Sequence, residues 1–181
     1  MAVDYWDVHN FTSEPVRWDY GNWHHAVMGV ELITDLGPVT VTWTSTFFAY
    51  GVEVFHDRIE EHLVMSGVGP ERVGPQVESG GFWDRCLGTP IRQTASHWDR
   101  LELGPSRRAD GGVVSPARSV DLPTAVRIDF DAGPVWFVAA IPESPEMQRA
   151  FVSGDEIMVV LSDEKMRDLG FDDPTFLQQR S

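Results

Sequence analysis

Cysteine, lysine, basic charge and long apolar runs are all scarce in this chain, and most of these scarcities remove a class of protein. A single cysteine, Cys86, excludes an internal disulfide framework and fits a reducing compartment. The longest apolar stretch, Val135 to Ile141, is far too short for a membrane-spanning helix. Met1-Ala2-Val3-Asp4-Tyr5 has no basic start and no apolar segment follows it, so a soluble cytoplasmic protein away from membranes is expected. With 14 basic residues against 28 acidic ones the net charge is −14, which argues against nucleic acid, because phosphates need a basic surface. Arg107-Arg108, beside Asp110 in a glycine-rich stretch, is the nearest approach to a basic patch and reads as a solvated loop. Lysine is represented by Lys165 alone, a bias of codon usage rather than of mechanism.

Catalytic signatures are missing as well. No G-x-S-x-G, H-E-x-x-H, P-loop or C-x-x-C occurs. Gly67-Val68-Gly69-Pro70 lacks the third glycine of a dinucleotide fingerprint, and Pro70 removes an N–H that a phosphate would need. Cys86 has no visible base or electropositive neighbourhood and reads as a structural thiol. Neither a cofactor nor a metal site is expected.

What the chain does contain is an internal match. Val30 to Val41 and Val126 to Phe137 share the pattern V-x-(L/I)-x-x-D-x-G-P-V-x-(V/F). Val54-Phe55-His56-Asp57, with Leu63 six residues on, answers Val160-Leu161-Ser162-Asp163 with Leu169. At 181 residues this predicts a single domain. Its parts are an irregular aromatic arm over 1–22, a first repeat over 23–66, a middle segment over 67–118, a second repeat over 119–171 and a tail over 172–181, loosely held beyond Pro174. Each repeat reads as hairpin, strand and short helix, with Asp-x-Gly-Pro as the hairpin turn. The fold class is α+β: a strongly twisted antiparallel sheet or partly closed barrel of two pseudo-repeats, with a β-sandwich as runner-up.

The faces differ between halves. Val39, Val41 and Trp43 oppose Thr40, Thr42 and Thr44, giving one wet face. In the second half Val135, Phe137, Ala139 and Ile141 fill one face while Trp136, Val138 and Ala140 fill the other. A strand apolar on both faces is covered on both. The cover is the arm, the middle segment or a second subunit, which makes a homodimer one expectation.

Candidate chemistry rests on histidine and tryptophan. His24, His25, His56 and His97 are the candidate proton-transfer groups, since imidazole titrates nearest neutral pH, with Tyr50, Glu53 and Asp57 as orienting partners. His24 and His25 adjoin on one strand and point to opposite faces, which disfavours a shared metal. His56 also occupies the place where the second repeat has Ser162, so capping is its simpler role. Among seven tryptophans, Trp23, Trp43, Trp98 and Trp136 are candidates for lining an apolar pocket between the repeats; covering gaps between them is the competing role. The expectation is a small cofactor-independent enzyme or carrier that dehydrates, isomerises or cyclises an apolar small molecule. The alternative is an acidic, non-catalytic binding protein for a basic partner, such as an immunity-type inhibitor of a basic toxin.

Overall fold

The computed structural model describes residues 1–8, 17–46, 50–63, 70–75, 77, 79–143 and 149–178. Its strands are β1 (Ala2–Val8), β2 (Trp23–Val27), β3 (Gly29–Thr34), β4 (Gly37–Thr44), β5 (Gly51–Phe55), β6 (Pro70–Gly74), β7 (Gln93–Leu103), β8 (Ser106–Arg107), β9 (Val113–Ser115), β10 (Arg118–Phe130), β11 (Gly133–Pro142) and β12 (Ala150–Val160). The helices α1 (Phe82–Cys86), α2 (Asp163–Asp168) and α3 (Pro174–Leu177) are short, and a 3-10 turn covers Ile59–Glu61.

Both Asp-x-Gly-Pro segments turn tightly, pairing Thr34 with Gly37 and Phe130 with Gly133. The two glycines sit at φ of 118° and 126°, a region that side chains with a Cβ avoid. From these hairpins grows one sheet in the order β5-β4-β3-β1-β2-β12-β11-β10-β7, with β6 added on β1. The sheet curls until β4 and β5 lie against β10, β11 and β12, so it forms a half-barrel.

The first eight residues depart from the expected irregular arm. Ala2–Val8 forms β1, deep inside the sheet, with Val3 and Tyr5 buried in the core and Asp4 and Asp7 also buried. The alternation is present, but acidic residues hold the polar positions and mask it. The sheet is also mixed rather than wholly antiparallel, because β1 runs parallel to β2 and antiparallel to β3. The chain reverses between β2 and β3 at Val27, Met28 and Gly29, with φ of 38° at Val27 and 149° at Gly29. β1 occupies the slot between the two strands. A Cβ on Gly29 would stand 2.6 Å from the Val41 carbonyl oxygen, so only glycine fits that crossing.

Two cores result. The inner one lies within the curl and takes Val30, Leu32 and Val41 from one side and Phe130, Phe137 and Val159 from the other, with Trp83 and Cys86 of α1 beside them. The outer core lies on the opposite face of β10–β12, with Trp136, Val138 and Ala140 against Met166, Phe171, Phe176 and Leu177. The doubly apolar strands are therefore covered by the C-terminal segment of this same chain. The tail past Pro174 is not loose where it is described: α3 buries Phe176 and Leu177. The wet face expected on β4 is also covered. Thr40 and Thr42 are fully buried, with Thr40 donating to the Asp57 carbonyl (2.7 Å) and Thr42 to that of Met28 (2.6 Å).

Among the described residues no helix is long and apolar enough to cross a membrane.

Candidate functional site

β2 presents consecutive histidines to opposite faces, as extended backbone requires. On the inner side His24 meets Tyr5 from β1, which in turn meets Trp83 from α1. The Trp83 indole N–H donates to the Tyr5 oxygen at 2.6 Å, and Tyr5 lies 2.7 Å from His24 Nδ1. With the Tyr5 oxygen accepting from the indole, His24 Nδ1 is the acceptor among the described residues for the buried hydroxyl hydrogen, which places the His24 proton on Nε2. Nε2 faces the Asp19 carboxylate at 3.7 Å, and the Trp18 ring meets the imidazole edge-on at 5.1 Å. Burial dominates the electrostatics: it lowers the His24 pKa from 6.5 to about 4, against the smaller opposing pull of Asp19. The same desolvation pushes the Tyr5 phenol well above its ordinary value. This row of polar groups is held neutral inside the half-barrel.

On the outer side His25 Nε2 lies 2.8 Å from Glu156 Oε2. Trp23, two residues earlier and so on the same face, stacks on Tyr20 at 4.3 Å and belongs to the outer core. Trp136 donates its indole N–H to the Phe176 carbonyl at 3.3 Å. Beside it the wholly buried Arg127 donates to the carbonyls of Phe176 (2.6 Å) and Gln178 (2.8 Å) and to the Asp129 carboxylate (3.1 Å). A buried guanidinium thus ties the end of the described chain to the sheet.

Two open clefts carry the remaining candidates. The first, of about 620 Å³, lies between the β3–β4 turn, the end of β5 and the segment after α1. Leu36, Pro38, Val39, Pro90 and Ile91 give it apolar walls, and His56 lies among them. Leu36 is 95 % exposed at the turn, an apolar side chain left in water. His56 is exposed and makes no hydrogen bond to any described residue. His24, His25, His62 and His97 all have hydrogen-bonded partners.

The second cleft, of about 470 Å³, runs beside β7 and holds His97, Trp98, Asp173 and Phe176. Thr124 donates its hydroxyl to Asp99 at 2.9 Å, so its oxygen accepts from His97 Nδ1 at 3.2 Å. That places a proton on His97 Nδ1. The imidazole lies against the Phe171 and Phe176 rings, at 5.0 and 5.3 Å between centroids.

The sequence candidates are therefore dispersed. Trp23 and Trp136 belong to the outer core, Trp43 packs on the inner one and touches Tyr50 edge-on at 5.2 Å, and Trp98 stands 53 % exposed on β7. Asp57 pairs with His62, whose ring stacks on Phe55, rather than with His56. Glu53 lies on β5 opposite Thr42. The four tryptophans do not surround one cavity among the described residues. Sequence reasoning did not single out Tyr5 and Trp83 as polar partners of His24; the signal available was the alternation Val3-Asp4-Tyr5. Cys86 is fully buried, and burial raises its thiol to about 11, which suits a structural role. Among the described residues no group of three or more His, Cys, Asp or Glu is arranged to hold a metal ion.

Comparison with protein-family models, curated proteins and solved structures finds no match to this chain.

Proposed function

We propose that this protein binds an apolar small molecule in the cleft of about 620 Å³ at the β3–β4 end of the half-barrel, as a carrier or a cofactor-independent acid–base catalyst. The supporting observation is His56, the one described histidine without a hydrogen-bond partner, on a wall built from Leu36, Pro38, Val39, Pro90 and Ile91. An unengaged imidazole among apolar surfaces has the equipment for one proton transfer in a positioned substrate. Dehydration, isomerisation and cyclisation need no more than that. The cleft beside β7 suits this chemistry less well, because its histidine is already held by Thr124 and its lining is more polar.

We also read the two hairpin–strand–helix segments as copies of one unit. Support comes from their matching two-residue turns and from the third strand that each adds, β5 on β4 and β12 on β11.

The apolar fluorophore N-phenyl-1-naphthylamine tests the cleft. One molecule per chain is expected to bind, and Ile91→Trp, which narrows the cleft at a partly exposed position, is expected to remove binding while the circular dichroism stays unchanged. Unaltered binding to Ile91→Trp puts the ligand elsewhere and ends this reading. With a substrate in hand, His56→Ala separates the two roles: a catalyst loses turnover and keeps binding, whereas a carrier keeps binding and has no turnover to lose.

A further inference from the structure

We propose that the outer edge of β7 accepts an extended, basic segment of a partner protein as an added strand, seated in the cleft between that edge and α3. β7 ends the sheet, and no described strand pairs with its outer side. It is eleven residues long, where unprotected edges are normally short or interrupted. Gln93-Thr94-Ala95-Ser96-His97-Trp98-Asp99-Arg100-Leu101-Glu102-Leu103 contains neither proline nor lysine, the residues that most often blunt an edge. Its charges, Asp99, Arg100 and Glu102, lie toward its C-terminal half, and among the described residues no strand pairs with the outer backbone from Gln93 to Trp98. The opposite edge of the sheet differs, since β5 has five residues and lies against β10 and β11.

The cleft supplies what a bare edge lacks. It follows the strand from Gln93 to Trp98, and its far wall is the start of α3, with Asp173, Thr175 and Phe176. A strand between a sheet edge and a helix gains affinity from main-chain hydrogen bonds and specificity from alternate side chains. Here the side chains facing α3 would meet the Phe176 ring and the carboxylate of Asp173, and the alternate ones would lie on the side of β7 that carries Ser96, because His97 packs on Phe176 and successive strand residues point to opposite faces. The nearby cations are already engaged, Arg92 with Asp131 and Arg100 with Asp121. Asp173 stands exposed at the cleft, its carboxylate held by the Thr175 backbone N–H (2.8 Å) and hydroxyl (2.9 Å) and with His97 as its electrostatic neighbour, on a molecule whose net charge is −14. That selects a basic segment and steers its approach.

A labelled peptide of about ten residues alternating Lys and Val matches the length of an ordinary strand and is the probe. Saturable binding of one peptide per chain is expected, weakening several-fold as salt rises. Alternate amides between Gln93 and Leu103 should become protected from hydrogen exchange. Asp173→Asn keeps the helix cap, because Asn caps as well as Asp, and should weaken binding several-fold with the fold intact. Three results would overturn the proposal. In the first, an analogue N-methylated on alternate residues binds equally well, so that charge alone drives association. In the second, an alternating Glu and Val peptide binds as tightly. In the third, the free protein sediments as a dimer with the β7 amides already protected, so that a second copy holds the edge. Loss of peptide binding leaves the fluorophore cleft untouched, so the two proposals fail separately.

Discussion

His24 carries a burial cost that acidification exposes. Its folded pKa, about 4, lies below the 6.5 of a free imidazole, so below pH 6.5 the unfolded chain takes up a proton that the folded protein refuses. Stability is therefore lost progressively between pH 6.5 and about 4, by about 3 kcal/mol in total from this group. Glu31 acts in the opposite sense. Desolvation raises its pKa against the smaller pull of Arg58, so protonation favours the folded state as the pH falls through that raised value. The two are separable by substitution. His24→Asn keeps an acceptor near Nδ1 for the Tyr5 hydroxyl and removes the titration. Urea unfolding of the wild type should weaken steeply from pH 6.5 to 4, and His24→Asn should flatten that slope. An equal slope in both proteins would mean that His24 is protonated without cost. Tyr5→Phe should destabilise the protein at every pH by about 2 kcal/mol or more, because it strands the Trp83 N–H and His24 Nδ1 without partners.

At the scale of elements, the segment 162–178 is held by tertiary contacts rather than by helix propensity. α2 has six residues and α3 four, far below the length at which an isolated helix is stable. Ser162 and Asp173 cap them by accepting the backbone N–H of Lys165 and Thr175. Arg127 then ties α3 down through carbonyls that a four-residue helix leaves unsatisfied. Removing it leaves Asp129 charged and buried. Arg127→Met should therefore cost about 3 to 5 kcal/mol and open the 171–178 region to proteases. The double variant Arg127→Met, Asp129→Leu should cost less than the single one, because the stranded charge is gone too. Chemical denaturation of the four proteins closes that cycle.

For the whole molecule, the decisive pairing is β2 with β12, which joins the two ends of the chain across the middle of the sheet. β1, between β2 and β3, depends on the same arrangement. Neither half can complete its core alone, since the curl places Val30 and Leu32 in one cluster with Phe137 and Val159. Unfolding of the full chain should be a single transition whether followed by tryptophan fluorescence or by circular dichroism. A fragment comprising residues 1–66 should remain unfolded in isolation. A folded fragment would show that the first half is an autonomous unit.

Local features were legible in the sequence. The Asp-x-Gly-Pro turns, the alternation in Val135 to Ile141 and the Ser162 cap each depend on steric and hydrogen-bonding preferences that act over a few residues. The opposite facing of His24 and His25 follows from strand geometry in the same way. The candidate site was only partly legible: His56 and His97 were singled out and each lines a cleft, while Trp23 and Trp136 proved to be outer core. Tertiary structure alone decided that β1 belongs inside the sheet, that α2 and α3 cover the outer face, and that Tyr5, His24 and Trp83 meet across separations of 19 and 78 residues. A preference for turn or strand is a property of neighbouring residues. The order of strands and the identity of what covers a face are settled by burial summed over the whole chain, which no local pattern records.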